Sequence, residues 1–184
     1  MEQKTPAIIM LHRRPPRLKP CHSGTVLGCF TEAGRRGNHV SLQAYPTSAS
    51  ARAAQTATPE TEQTMLLQAP DLLHALPFLP PGDPLREPRC KRGVVLVHLF
   101  HGARFERIDE LVGRYRGVGV VEAGLLEAVD TDCIVWIAIV QDMQALAALH
   151  PALRATEAAL HTHAELLLLE PCAGSRLRWI GVKQ

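Results

Sequence analysis

Gly93-Val-Val-Leu-Val-His-Leu-Phe100 and Cys133-Ile-Val-Trp-Ile-Ala-Ile-Val140 are the strongest β-branched apolar runs in this chain of 184 residues, and the fold turns on how they are read. Runs of this length suit strands buried on both faces and are short for buried helices. Between them, Arg104 to Tyr115 sets Phe105, Ile108, Leu111, Val112 and Tyr115 on one face at helical spacing, with Glu110 four residues before Arg114 on the other. Gly117 to Val121 reads as a short strand, and Glu122 to Val129 fits either state. Met143 to Leu169 reads as a long Ala/Leu-rich helix that Pro151 kinks or restarts. A turn at Ala173-Gly174-Ser175 then leads to a last strand, Arg176 to Val182. The order strand, helix, strand, strand, helix, strand matches a small α+β domain of the ferredoxin-like (βαββαβ) type over residues 93–184. A mostly helical body is the alternative.

Outward from this body, residues 1–92 hold twelve of the fourteen prolines and long polar or small-residue stretches such as Pro46 to Thr64. Such segments bury too little to offset the entropy of ordering, so this half reads as a largely disordered, proline-rich arm. Within it, Thr64 to Leu79 is a short amphipathic stretch, with a candidate helix from Pro70 to Leu76. Pro77, Pro80, Pro81, Gly82, Pro84 and Pro88 form a stiff linker, which places the domain boundary there.

Composition adds a competing possibility. Only eight residues are aromatic, so any core rests on Leu, Val, Ile and Ala. The twenty basic residues are sixteen Arg and four Lys, a skew that a GC-rich coding sequence explains. A young reading frame with no stable fold is therefore a further alternative. Through Pro59 the basic residues Lys4, Arg13, Arg14, Arg17, Lys19, Arg35, Arg36 and Arg52 face only Glu2 and Glu32, whereas from Gly93 onward eleven carboxylates face eight basic side chains. Cys21, Cys29, Cys90, Cys133 and Cys172 are odd in number and widely spaced, which fits reduced thiols better than a disulfide framework. The apolar runs are too short for a membrane span, and no secretory signal is visible, so an intracellular location, cytoplasmic or nuclear, is expected without membrane insertion. The acid-poor, Arg-bearing start makes a mitochondrial location the alternative, although Pro15, Pro16 and Pro20 oppose the helix a transit peptide forms.

The sharpest local motif, Val94-Val-Leu-Val-His-Leu-Phe-His-Gly102, resembles the strand-to-His-Gly loop of the α/β-hydrolases. That resemblance implies an oxyanion hole beside a serine in a Gly-x-Ser-x-Gly elbow. The only serine after Gly102 is Ser175, in Ala-Gly-Ser-Arg-Leu, and no triad histidine follows it, so a hydrolase reading fails. His98, His101, His161 and His163 with Cys133, Asp130 and Asp132 supply metal-ligand types, but His161 and His163 diverge on a helix, and His98 and His101 diverge on a strand. Cys21, His22, Cys29 and His39 match no zinc spacing. Cys133, opening an apolar strand, reads as an inert core thiol rather than a nucleophile. No catalytic residue, metal or cofactor is therefore assigned.

Two interaction features remain. Arg13, Arg14, Arg17 and Lys19 lie in one short extended stretch and are the candidates for weak, non-specific polyanion contact. Leu146, Leu149, Leu153, Thr156, Leu160, His163 and Leu167 alternate steps of three and four. The leucines of this series read as a helix–helix seam, packed on the chain's own sheet or used for a protein partner or self-association. The reading that follows is a non-enzymatic interaction or regulatory protein with a basic flexible arm. A small α/β enzyme or ligand-binding domain with an unlocated site is the alternative.

Overall fold

In the computed structural model, which describes residues 8–14, 24–33, 38–69, 94–113, 115, 118–160 and 163–172, both apolar runs are strands but neither belongs to an isolated domain. In chain order the elements are β1 (Ile8–Arg14), β2 (Thr25–Glu32), β3 (His39–Tyr45), α1 (Ser48–Thr56), β4 (Gln63–Gln68), β5 (Val94–His101), α2 (Phe105–Gly113), β6 (Val120–Ala128), β7 (Cys133–Val140), α3 (Met143–Leu160) and β8 (His163–Pro171). All neighbouring strands are antiparallel, and they close into a barrel in the order β1-β3-β2-β8-β5-β7-β6-β4.

Each half of the chain supplies four adjacent staves in the same order, β2-β3-β1-β4 and β6-β7-β5-β8. Long ladders hold each half together, for example β5 with β7 from Val94↔Val140 to His101↔Cys133. The seams between halves are short. β2 meets β8 from Phe30↔Pro171 to Glu32↔Leu169, and β4 meets β6 at Leu67↔Ala128 and Gln68↔Glu127.

Period-two alternation divides the side chains into layers. Ile9, Leu11, Leu27, Phe30, Val40 and Leu42 from the first half meet Val95, Val97, Leu99, Val135, Ile137, Leu167 and Leu169 from the second inside the barrel. Outside, Leu96, Phe100, Ile134, Trp136 and Ala138 are covered by Ile108 and Val112 of α2 and Leu149 and Leu153 of α3, while α1 covers Ile8, Met10, Tyr45 and Leu66 through Ala51. The second helical layer sits very close to the wall. Gly119 takes a φ of 73°, and a Cβ built there would lie 2.4 Å from Ala145 Cβ, so the turn into β6 requires glycine.

This architecture corrects the sequence reading. A ferredoxin-like domain beside a disordered proline-rich half is replaced by a closed eight-stranded barrel, and residues of the supposed arm build β1 to β4 and α1. A disordered region and a free basic arm are therefore no longer part of the description. The polar side chains that made the first half look unfoldable, His12, Arg14, Glu32, Ser41 and Gln43, are all buried. The mostly helical alternative fails on the same barrel. The long helix expected over Met143–Leu169 stops at Leu160, and Leu166 to Leu169 continue as strand, with Leu167 and Leu169 facing the interior while Leu166 and Leu168 pack under the helices. A leucine run satisfies either period, and pairing with β5 decides for the strand. The linker expected at 77–88, the short helix at 70–76 and the final strand at 176–182 lie outside the described residues.

Candidate ligand site at one end of the barrel

Antiparallel closure brings the C-terminal ends of β1, β2 and β5 to the same end of the barrel as the N-terminal ends of β4, β7 and β8. At this end the inward positions change from apolar to polar. Along β1 the inward series Ile9, Leu11 ends in Arg13; along β5 the series Val95, Val97, Leu99 ends in His101; along β8, read backwards from Leu169 and Leu167, it ends in Glu165 and His163.

Arg13, His101 and Glu165 at these strand ends border a cavity of about 260 Å³. Its floor is Leu11, Met65, Leu99 and Leu167, and its polar wall is Arg13, Gln63, Thr64, His101 and Glu165. An apolar cavity with a few convergent polar groups is how small-molecule sites are built. Arg13 organises the wall. Its Nη2 donates to both oxygens of Glu32 at 2.8 Å, its Nε to Glu32 Oε2 at 3.0 Å, and its Nη1 to Glu165 Oε1 at 2.8 Å. Asn38 Nδ2 donates to Glu32 Oε2 at 3.2 Å and holds that carboxylate from the other side. Burial alone would lower the pKa of Arg13, but hydrogen bonds and charges from Glu165 and Glu32 outweigh it and raise it, so the guanidinium is permanently charged. Because Glu32 is on β2 and Glu165 on β8, this pairing also crosses the seam between the two halves.

His101 sits opposite His163 on one side and Cys133 on the other. The two imidazoles stack with ring centroids 5.8 Å apart. Cys133 is buried, and its thiol is pushed up to about 11. Burial is the main cause, a backbone hydrogen bond from Phe100 opposes it, and the charges of Asp132 and Glu165 add to it. It stays a thiol at neutral pH and offers no nucleophile. Among the described residues no group of three His, Cys, Asp or Glu side chains is placed to hold a metal ion.

Further polar groups are buried in the outer layers. His12 pairs with Glu62 under the first half. Under α3, His98 Nε2 lies 3.2 Å from Glu157 Oε1, an ion-pair distance without hydrogen-bond alignment, and neither ring nitrogen has a hydrogen-bond partner. Tyr115 packs edge-on to Trp136 at 5.2 Å and shares a hydrogen bond with Thr156 Oγ1.

The sequence-derived candidates are dispersed by this fold. Arg13 and Arg14 lie on β1, with Arg13 ion-paired inside the barrel and Arg14 only 7% exposed, while Arg17 and Lys19 fall outside the described residues. Leu146, Leu149, Leu153 and Leu160 are together on α3 against the second-half wall, and Leu167 is apart from them in the barrel interior. His98 faces the helices and His101 the interior; Asp130 pairs with Arg52. Cys29 and His39 are on β2 and β3, whereas Cys21, His22, His161 and Ser175 are outside the described residues. Sequence reasoning missed Glu32, Gln63 and Glu165. The available signal was the alternation Ile9-x-Leu11-x-Arg13 and Glu165-x-Leu167-x-Leu169, in which a charge continues an inward apolar series.

No protein-family model and no curated protein matches this sequence. Solved structures do share its fold. A "putative monooxygenase" from Fusobacterium nucleatum superposes with a TM-score of 0.57 at 6% identity, covering 91% of this chain and 93% of its own. A second "putative monooxygenase", from Lactobacillus acidophilus, gives 0.53 at 8% identity over 90% and 94%. An anthrone oxidase-like protein gives 0.54 at 9% identity over 96% and 97%. These likenesses show a shared fold, and with β1 to β4 and α1 built from residues 8–68 they overturn the reading as an interaction protein with a basic flexible arm.

Proposed function

We propose that this protein is an enzyme-like barrel that binds one small, largely apolar molecule between Arg13 and His101 and oxidises it. The observation that carries the reading is the cavity of about 260 Å³ with an aliphatic floor and a wall fixed by the Arg13–Glu32–Glu165 ion pairs. The names of the structural neighbours point the same way, since anthrone is a flat aromatic ketone whose CH₂ is acidified by the ring system. Its oxidation needs a base to take a proton and a nearby positive charge for the resulting enolate. His101 is the candidate base, and Arg13, whose charge Glu32 and Glu165 balance, is the candidate hydrogen-bond donor that stands in for such a charge at the enolate oxygen. Dioxygen then serves as oxidant, so that CH₂ and O₂ become C=O and H₂O.

The test is dioxygen uptake with anthrone, measured above its uncatalysed rate, in the full chain and in His101→Ala. The reading calls for saturable uptake that falls roughly a hundredfold or more in the variant, the usual size of a lost general base, with the melting temperature kept. Uptake no faster than in buffer, or uptake that ignores the substitution, would refute it.

A further inference from the structure

The outer face of the β2–β8 seam carries a second feature, independent of the cavity. The register Phe30↔Pro171 sets Cys29 directly opposite Cys172, and Cys172 N–H donates to the Cys29 carbonyl at 2.8 Å. Ala33 N–H donates to the Leu168 carbonyl at 2.8 Å, four residues along the same ladder, so the two cysteines occupy a hydrogen-bonded antiparallel pair. Residues so placed point to the same side of the sheet with Cα atoms about 5.5 Å apart. Disulfides span Cα separations of about 4.4–6.8 Å. Both cysteines are thiols and both are partly exposed, in contrast to buried Cys133.

We propose that Cys29 and Cys172 are a reversible modification site: exchange with a small-molecule disulfide links them and staples the two halves of the barrel together. Thiolate Cys172 attacks one sulfur of R–S–S–R, forming a mixed disulfide and releasing RS⁻. Thiolate Cys29 then attacks the Cys172 sulfur, forming the cross-link and releasing the second RS⁻. The two protons lost by the cysteines go to the released thiolates, and the reagent takes the two electrons. Arg14 is placed to assist. Its side chain is buried, with Nε and Nη1 lacking hydrogen-bond partners. Burial raises both thiols, and the Arg14 charge offsets part of that for each. The seam has few ladder pairs of its own, so a covalent bond here changes its strength more than it would at β5–β7.

The experiment treats the full chain with oxidised glutathione and maps non-reduced peptides by mass spectrometry. The expected product is a Cys29–Cys172 cross-link with a melting temperature raised by roughly 5–15 °C and restored by dithiothreitol. C29S and C172S should each lose both effects, while C21S and C90S keep them. A cross-link that maps to other cysteines, no cross-link at all, or a gain in melting temperature that survives in C29S would overturn the proposal.

Discussion

The outer face of the first-half wall mixes buried His12, Ser41 and Gln43 with Ile8, Met10, Tyr45 and Leu66, whereas beneath α2 and α3 the second half presents Leu96, His98, Phe100, Ile134 and Trp136. The inner faces of the two halves are equally apolar. In the first half three of these polar groups are linked in a chain: Tyr45 Oη donates to Gln43 Oε1 at 3.1 Å, and Gln43 Nε2 donates to Ser41 Oγ at 3.3 Å. Mutual hydrogen bonding removes most of the penalty for burying them, so a polar strand can be as interior as an apolar one. The difference teaches that outward polarity in a strand need not mean contact with water.

The comparison breaks most directly at the large buried aromatics, Phe30 inside the barrel and Trp136 beneath the helices. Phe30→Ala in the first half and Trp136→Ala in the second should each cost about 3–5 kcal/mol in urea denaturation, as large-to-small changes of buried aromatics do, with a single transition retained. If Phe30→Ala left stability unchanged, the first half would be an appendage rather than half of a wall.

Next in size is an acid effect belonging to the second half. Burial holds the His98 imidazole at about 4, below its ordinary 6.5, while the Glu157 charge pulls it up and Arg154 pulls it down. The folded protein therefore keeps His98 neutral where the unfolded chain takes a proton. Above about pH 6.5 the group contributes nothing to pH dependence, and from there to about pH 4 it removes roughly 3 kcal/mol of stability. Urea midpoints measured from pH 7 to 4.5 should show this loss in the wild type and a flatter limb in His98→Gln. Identical limbs would mean that His98 titrates in the fold as it does in the unfolded chain.

A smaller effect probes the polar ladder itself. Tyr45→Phe deletes the donor to Gln43 and should cost about 1 kcal/mol, read from the same urea midpoints; no change would place water in that layer. Smallest of all, Arg52→Ala removes an exposed pair with Asp130 that links α1 to the β6–β7 turn, and the midpoint should move by less than about 0.5 kcal/mol. A larger shift would make that contact part of the union between halves.

What the sequence made legible follows the same division. β5, β7 and α2 were readable because their periods are unmixed: Cys133–Val140 is buried at every position, and Ile108 and Val112 fall on one helical stripe. β1 to β4 were hidden because His12, Arg13, Arg14, Gln43 and nearby prolines suggested solvent, and the groups that satisfy them come from distant segments, such as Glu62 for His12 and Glu165 for Arg13. Contacts that long are not encoded in any local window. β8 was masked by its own leucines, which fit a helical stripe as well as a strand. The site was lost with these strands, since Arg13, Gln63 and Glu165 lie on β1, β4 and β8, and only His101 sat on a strand that could be read.

The order of strands around the barrel also has a consequence for biosynthesis. β2 leaves the ribosome early but its outer neighbour is β8, so one edge of the first-half sheet stays without its partner until residue 171 has been made. At about 5–20 residues per second that interval is on the order of ten seconds or more, during which Ile9, Leu11, Phe30 and Leu42 have no opposing wall to cover them. For that interval the nascent first-half sheet presents an apolar face and an open edge together, the combination most prone to pairing with a second chain.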